Sequence, residues 1–481
     1  MIEKKSWLCE KKALTLQYQH GFNPKTMNIE KTTDSKMMDM LHGPLLGKML
    51  QVAMPFAVSS ILQQLFISID VAVVGRFASS GALAAVGANT FLINLLINLF
   101  VGISVGANAV IAMAIGARDR HRVRNAVGTT CVIALICSAL LLVIGLTCAP
   151  TILHWMQTPP EILPDATTYL RVYFLGVPFF IIFNFGAAIL RSKGDTRRPL
   201  FMLLAAGVIN TLCCLFFVIV LHWSVAGVAA ATGLANVFSA SSMVWVLRHE
   251  TGAFRLQITR LHVDRLSLRR ILVIGIPTGL QSMLFSFSNV FVQTGINSYG
   301  AAAIAGSSVE QNFEYYCYFL MSAFTGTAVT FVGQNYGAGL ISRCKRVFWL
   351  SMSCGALFCL IGNLLFYGER DFFLWLFTTD PEVTAFARER MADVLVFQWV
   401  AASYEISAAC LRGLGHSLEP TLIAIFGTCV FRLGWIFFYC PSHPGFGHLM
   451  AVYPISWILT GVLMLTAYSI TIKRATKYNK V

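Results

Sequence analysis

The chain is a succession of apolar stretches, each about 20 to 30 residues long and separated by short polar segments. A helix rising about 1.5 Å per residue needs about 20 such residues to cross a hydrocarbon layer about 30 Å thick. None of the stretches shows the roughly ten-residue alternation of a membrane β-barrel. The pattern therefore predicts an all-α, polytopic membrane protein. Of 481 residues, 56% are hydrophobic and only 12% charged, whereas a soluble protein carries about a quarter charged residues.

Twelve spans are expected, over residues 48–76, 85–116, 126–150, 166–191, 199–222, 225–247, 270–298, 304–336, 347–368, 384–412, 420–440 and 447–472. A formal charge of +14 could suggest a nucleic-acid partner, but the basic residues cluster in short loops between apolar runs. Thirty of the 36 Lys and Arg fall on one side of this twelve-span plan, and only Arg76, Arg370, Arg388 and Arg390 on the other. Basic loops stay inside, so both termini are expected to be cytoplasmic and the chain to sit in a plasma (inner) membrane. Residues 1–41 then form a cytoplasmic tail, without the apolar core of a cleavable signal. The first 40 residues also admit a start mis-chosen upstream of Met37, Met38 or Met40. Thirteen cysteines, spread mostly through the spans with no CxxC pair, read as small apolar residues rather than metal ligands.

The two halves of six spans repeat. "LQVAMPFAVSS" around Pro55 is echoed by "LVIGIPTGLQS" around Pro277, 222 residues on, and "GALAAVG" at Gly81 by "GAAAIAG" at Gly300, 219 on. "GARDRHR" at Gly116 meets "GAGLISR" at Gly337, and "LRSKGDTRRP" at Leu190 meets "LRGLGHSLEP" at Leu411, both 221 on. The expected organisation is an amino-terminal lobe (42–247), a linker (248–269), a carboxyl-terminal lobe (270–472) and a cytoplasmic tail (473–481). An even number of spans per copy gives both lobes one orientation, related by a pseudo-two-fold axis along the membrane normal. Such lobes rock about a midplane site to give alternating access. No GxxxxGK[ST] loop is present, so an ion gradient is the expected energy source.

These motifs resemble the multidrug and toxic compound extrusion (MATE) family over about residues 42–472. They are "HGPLLGKMLQVAMP" and "DVAVVGR" at the two ends of the first span, "LRSKGDTRRP", "GQNYGAG" at 333–339, and "LRGLGHSLEP". "GQNYGAG" and the first-span Asp are similar to the DinF-type branch. The resemblance implies export of cationic or amphiphilic organic compounds in exchange for H+ or Na+, with no further cofactor, by a monomer without a nucleic-acid partner. It also implies a coupling-cation site in the amino-terminal lobe, at Asp70, Tyr169, Asn210 and Thr232. In that branch a second Asp stands one turn after Asn210, and here the position is Cys214. Its loss leaves Na+ short of hard oxygen ligands at Asp70 and tilts the reading toward protons.

A carboxylate in a bilayer is costly and usually marks an ion path, which favours a coupling role for Asp70. Arg76, six residues on, leaves open an interfacial position instead. Pro55, fifteen residues earlier, is either a point where the first helix bends during transport or a static kink. In the carboxyl-terminal half, Glu310, Glu314, Glu405 and Arg432 are candidate cation or substrate contacts, or an internal ion-pair network in which Arg432 is expected to partner Glu405. Gln281, Asn289 and Gln293 share a face of the seventh span and either line a cavity or bridge helices. Two other readings stay open: a flippase for lipid-linked or other metabolites, and an integral-membrane enzyme. No HExxH motif and no clustered nucleophile support the latter.

Overall fold

The structure, a computed structural model, describes residues 37–77, 80–155 and 163–478. The tail expected over residues 1–41 lies almost wholly outside them. Twelve helical segments are long and apolar enough to cross a membrane, and the described residues contain no strand. The amino-terminal six are α1 (Leu45–Phe77), α2 (Ser80–Gly116), α3 (Arg120–Trp155), α4 (Leu163–Ser192), α5 (Arg197–Leu215, continued as a π turn over Phe216–Val220) and α6 (Ser224–Arg248). The second six are α7 (Arg265–Asn297), α8 (Ala301–Gly337), α9 (Ile341–Gly368), α10 (Pro381–Gly413), α11 (Leu418–Ser442) and α12 (Phe446–Lys477).

Helix starts follow local chemistry. Asp264 caps α7 by accepting from the Ser267 amide at 2.8 Å, and Asp380 accepts from the Glu382 amide at 2.9 Å where Pro381 opens α10. Neither α10 nor α11 is a single uniform helix: α10 passes through a 3-10 stretch at Leu395–Ala401, and α11 is interrupted by π turns. By contrast, α1 and α7 run through Pro55 and Pro277 without a break in assignment, and the Pro55 carbonyl accepts from the Ser59 hydroxyl at 2.8 Å.

The sequence repeat is physical. Gly194 and Gly415, 221 residues apart, both take the left-handed conformation, with φ of 90° and 86°, in the turns leaving α4 and α10. Where the lobes meet, glycines bring backbones together. A Cβ on Gly116 of α2 would lie 1.9 Å from the Gln334 carbonyl oxygen of α8, and one on Gly337 of α8 would lie 2.1 Å from the Met113 carbonyl oxygen of α2. These contacts exchange with each other under the two-fold repeat. Farther along α2, Gly102 and Gly106 face Gly279 and Gly275 of α7 in the same backbone-to-backbone manner.

Both glycine-paired ends, Gly116 and Gly337, lie at the face that carries the basic loops. There the segment before α1 straps the lobes together. Asn335 Nδ2 and Arg343 Nε each donate to the Met40 carbonyl at 3.3 Å, and the Met38 amide donates to the Lys193 carbonyl at 3.4 Å. Gln334 Nε2 donates across the interface to the Ser192 carbonyl at 2.7 Å. The basic face is thus closed between the lobes.

Candidate functional site

Asp70 lies two turns from the end of α1 and is half-buried. Three helices supply its surroundings. Asn210 of α5 directs its Nδ2 at both carboxylate oxygens, each at 2.9 Å. Cys214, one turn on and therefore on the same face, is fully buried with its thiol against the same carboxylate. Thr232 of α6 approaches at 3.4 Å, but its single hydroxyl proton has a nearer acceptor in the Val228 carbonyl at 3.1 Å. Thr232 is therefore the weaker partner.

Tyr169 of α4 is brought close without bonding. Its ring stacks on Tyr173 with centroids 6.0 Å apart, and both phenols lie within electrostatic reach of Asp70. Among the described residues, neither donates a hydrogen bond to it. Tyr173 was not among the sequence candidates, although its place one turn after Tyr169 puts it on the same helical face. Asn210 Oδ1 is buried without a protein partner. The Asp70 oxygens and the Thr232 hydroxyl make a small set of hard oxygens, and the Cys214 sulfur adds none. That chemistry suits a proton or a water better than a fully wrapped Na+.

The second lobe is arranged differently from the expected network. Arg432 does not partner Glu405. Its Nη1 donates to Asn289 Oδ1 at 2.8 Å and its Nε to the Ser456 hydroxyl at 3.2 Å, and the guanidinium lies over the Tyr453 ring at 4.5 Å. Glu310 and Glu314 instead share Arg390, which contacts Glu310 through Nε and Glu314 through Nη2 at 3.0 Å. Arg390 was counted on the less basic side, near the start of the tenth span, with no partner assigned. It is 1% exposed inside α10, because the acidic pair one turn apart on α8 neutralises it there. Gln281 accepts from Arg412 Nη2 at 2.9 Å, so Gln281 and Asn289 bridge to arginines of α10 and α11, while Gln293 bonds to Asn297 within α7. Glu405, facing Tyr318 and Arg412, has no hydrogen-bonded partner among the described residues.

A separate ion cluster ties the loops of the basic face. Glu250, just past α6, receives Lys193 Nζ at 2.8 Å and Arg198 Nη1 at 2.5 Å, and Arg198 also contacts Asp195. Burial pushes the Glu250 carboxyl up, but the two cations outweigh it and hold the group below the usual carboxylate range.

Comparison with known proteins follows this geometry. The MatE family model matches residues 55–216 and again 277–437, one match per lobe. The chain is 28% identical over 386 residues to the probable multidrug resistance protein YoeA of Bacillus subtilis, covering 77% of this chain and 82% of that one. It is 25% identical over 393 residues to the probable multidrug resistance protein NorM of Thermotoga maritima, covering 80% and 84%. Among solved structures, "Crystal structure of MATE in the bent conformation" superposes with a TM-score of 0.85 at 19% identity, over 92% of this chain and 98% of that one. "Outward-facing conformation of a multidrug resistance MATE family transporter of the MOP superfamily" gives 0.86 at 20% identity, over 92% and 99%.

Proposed function

The chain belongs to the MatE family, a family of multidrug transporters rather than enzymes, and from that membership we propose that it exports cationic or amphiphilic organic compounds in exchange for protons. The observation that carries this reading is the Asp70 carboxylate, held by Asn210 inside a lobe of a two-lobe membrane bundle. Its protonation would favour one arrangement of the lobes and substrate binding the other, which requires that each ligand bind the two states with different affinity. Na+ is the second candidate ion, disfavoured by Cys214. The basic face is the cytoplasmic one, by the distribution of Lys and Arg, so the closed glycine contacts there correspond to a state open toward the outside.

In the second lobe, Glu310 and Glu314 are occupied by Arg390 and serve the fold. Glu405 is the carboxylate left to attract a cationic substrate or a second proton. The chain acts as a monomer in the plasma membrane.

The test is transport in proteoliposomes under separately imposed proton and sodium gradients, comparing wild type with Asp70→Asn. A proton gradient should drive export of a cationic dye by wild type and not by the variant. Equal export by the variant would remove Asp70 from coupling, and export driven only by sodium would reverse the choice of ion.

A further inference from the structure

A cleft of about 520 Å³ opens between α4 and α6 where they reach the basic face. Its walls toward the bilayer are apolar: Phe179 and Ile182 from α4 and Val244 from α6. Its rim carries Trp245 and Arg248 from the last turns of α6 and Arg255 from the segment beyond. Trp245 is 63% exposed, and its ring lies 4.7 Å from that of His249, which also lines the cleft.

No carboxylate lines this cleft. The nearest acidic residue in sequence, Glu250, is buried and held by Lys193 and Arg198, and neither Arg248 nor Arg255 forms an ion pair among the described residues. A basic residue in the last turn of a helix can be explained by the helix dipole alone. Arg255 cannot, because it lies beyond α6 in extended conformation, with φ −64° and ψ 120°, and still lines the same cleft. Two unneutralised guanidiniums over an apolar wall, with an exposed indole at the membrane interface, match one kind of ligand: an anion with hydrocarbon attached.

We infer that this cleft binds an anionic phospholipid, its phosphate between Arg248 and Arg255 and its acyl chains along Phe179, Ile182 and Val244. A free phosphate would satisfy the arginines and leave the apolar wall without a partner. A second cleft on the basic face, lined by Arg343 and Arg346, differs in that Arg343 is engaged with the Met40, His42 and Gly43 carbonyls. The inference does not depend on which compound or ion the protein transports.

The experiment is native mass spectrometry of the full chain in detergent, titrated with phosphatidylglycerol or with phosphatidylcholine. Wild type should retain one phosphatidylglycerol molecule in preference to phosphatidylcholine. Arg248→Gln with Arg255→Gln should weaken that binding roughly thirty-fold, at about five-fold for each basic residue at the surface. Val244→Trp, which keeps both charges and fills the cleft, should also lose the lipid and is read alone if the double variant does not fold. Arg124→Gln with Arg346→Gln removes two charges from the same face and should leave binding unchanged. Equal weakening by this control pair, lipid retention by Val244→Trp, or displacement of the lipid by inorganic phosphate at equal concentration would each overturn the assignment.

Discussion

Asn108 and Thr330 stand 222 residues apart and hydrogen-bond to each other, Asn108 Nδ2 to Thr330 Oγ1 at 3.1 Å and Thr330 Oγ1 to Asn108 Oδ1 at 3.2 Å. In these two helices Gly116 and Gly337 are 221 residues apart, so Asn108 and Thr330 are equivalent to within one residue and meet between the lobes. Both side chains are buried, and each supplies what the other needs. Replacing one should strand its partner, so the effects of Asn108→Ala and Thr330→Val should not add. A double-mutant cycle read by unfolding in mixed micelles should give a coupling of about 0.6 to 1.7 kcal/mol. Strict additivity would mean that the pair does not hold the lobes together.

How much of this was legible in the sequence depends on range. Span count and the doubled architecture rest on local patterns of apolarity and glycine, and both were readable. The structure brings Asn210 and Cys214 beside Asp70, and the sequence pointed there only through resemblance to a family, since no local rule brings α5 to the end of α1. The ion pairs of the second lobe were misread for the same reason. Arg390 sits in the polar run "FARERMAD" near the start of the tenth span, where nothing local names Glu310 and Glu314 as its partners, and Arg432 had too many acidic residues within plausible reach. Periodicity specifies a face and leaves its partner to tertiary packing.

The closed basic face depends on glycine at two equivalent positions. Gly116→Ala and Gly337→Ala would each drive a methyl group against a backbone carbonyl at about 2 Å, and backbone yields less readily than a flexible side chain. Either change should cost about 1 to 3 kcal/mol of overpacking in this arrangement and shift the lobes toward separation at that face. Hydrogen-deuterium exchange should rise at residues 110–120 and 330–340 in both variants. Unchanged protection there would show that the interface absorbs the added carbon.

Glu310 and Arg390 are both essentially unexposed. Removing Glu310 leaves the buried Arg390 with Glu314 alone, a cost below the roughly 3 to 5 kcal/mol of a fully broken buried pair. Glu310→Gln should therefore lower the unfolding midpoint, while Glu310→Gln and Glu314→Gln combined with Arg390→Met should recover much of the loss. If instead the single variant were stable but inactive in transport, Glu310 would belong to the transport path rather than to the fold.

The Glu250 cluster gives the basic face a defined acid sensitivity. Because the folded carboxyl lies below its ordinary value of 4.5, its contribution to stability is fully present above that value and is lost as pH falls through the folded one. Thermal unfolding followed from pH 7 to pH 3 should show wild type losing stability below about 4.5. Glu250→Gln should be less stable at pH 7, by about 3 kcal/mol because Lys193 stays buried. It should also lose less on acidification, so that the two curves converge at low pH. Parallel curves would assign the acid sensitivity to other carboxylates.

The choice of coupling ion turns on Cys214. One turn after Asn210, a buried thiol meets the Asp70 carboxylate. A thiol offers one weak donor and a soft acceptor, so it tolerates a protonated Asp70 but contributes little to a sodium shell, which wants several hard oxygens. Cys214→Asp would supply two such oxygens beside the Asp70 carboxylate. With two carboxylates and no cation between them, the variant should be less stable in sodium-free buffer than wild type, since like charges at close range repel. Added NaCl should restore it where KCl at the same ionic strength does not, and wild type should respond equally to both salts. A sodium-specific rise in the unfolding midpoint of wild type itself would show that Asp70, Asn210 and Thr232 suffice to hold the ion, and proton coupling would lose its main support.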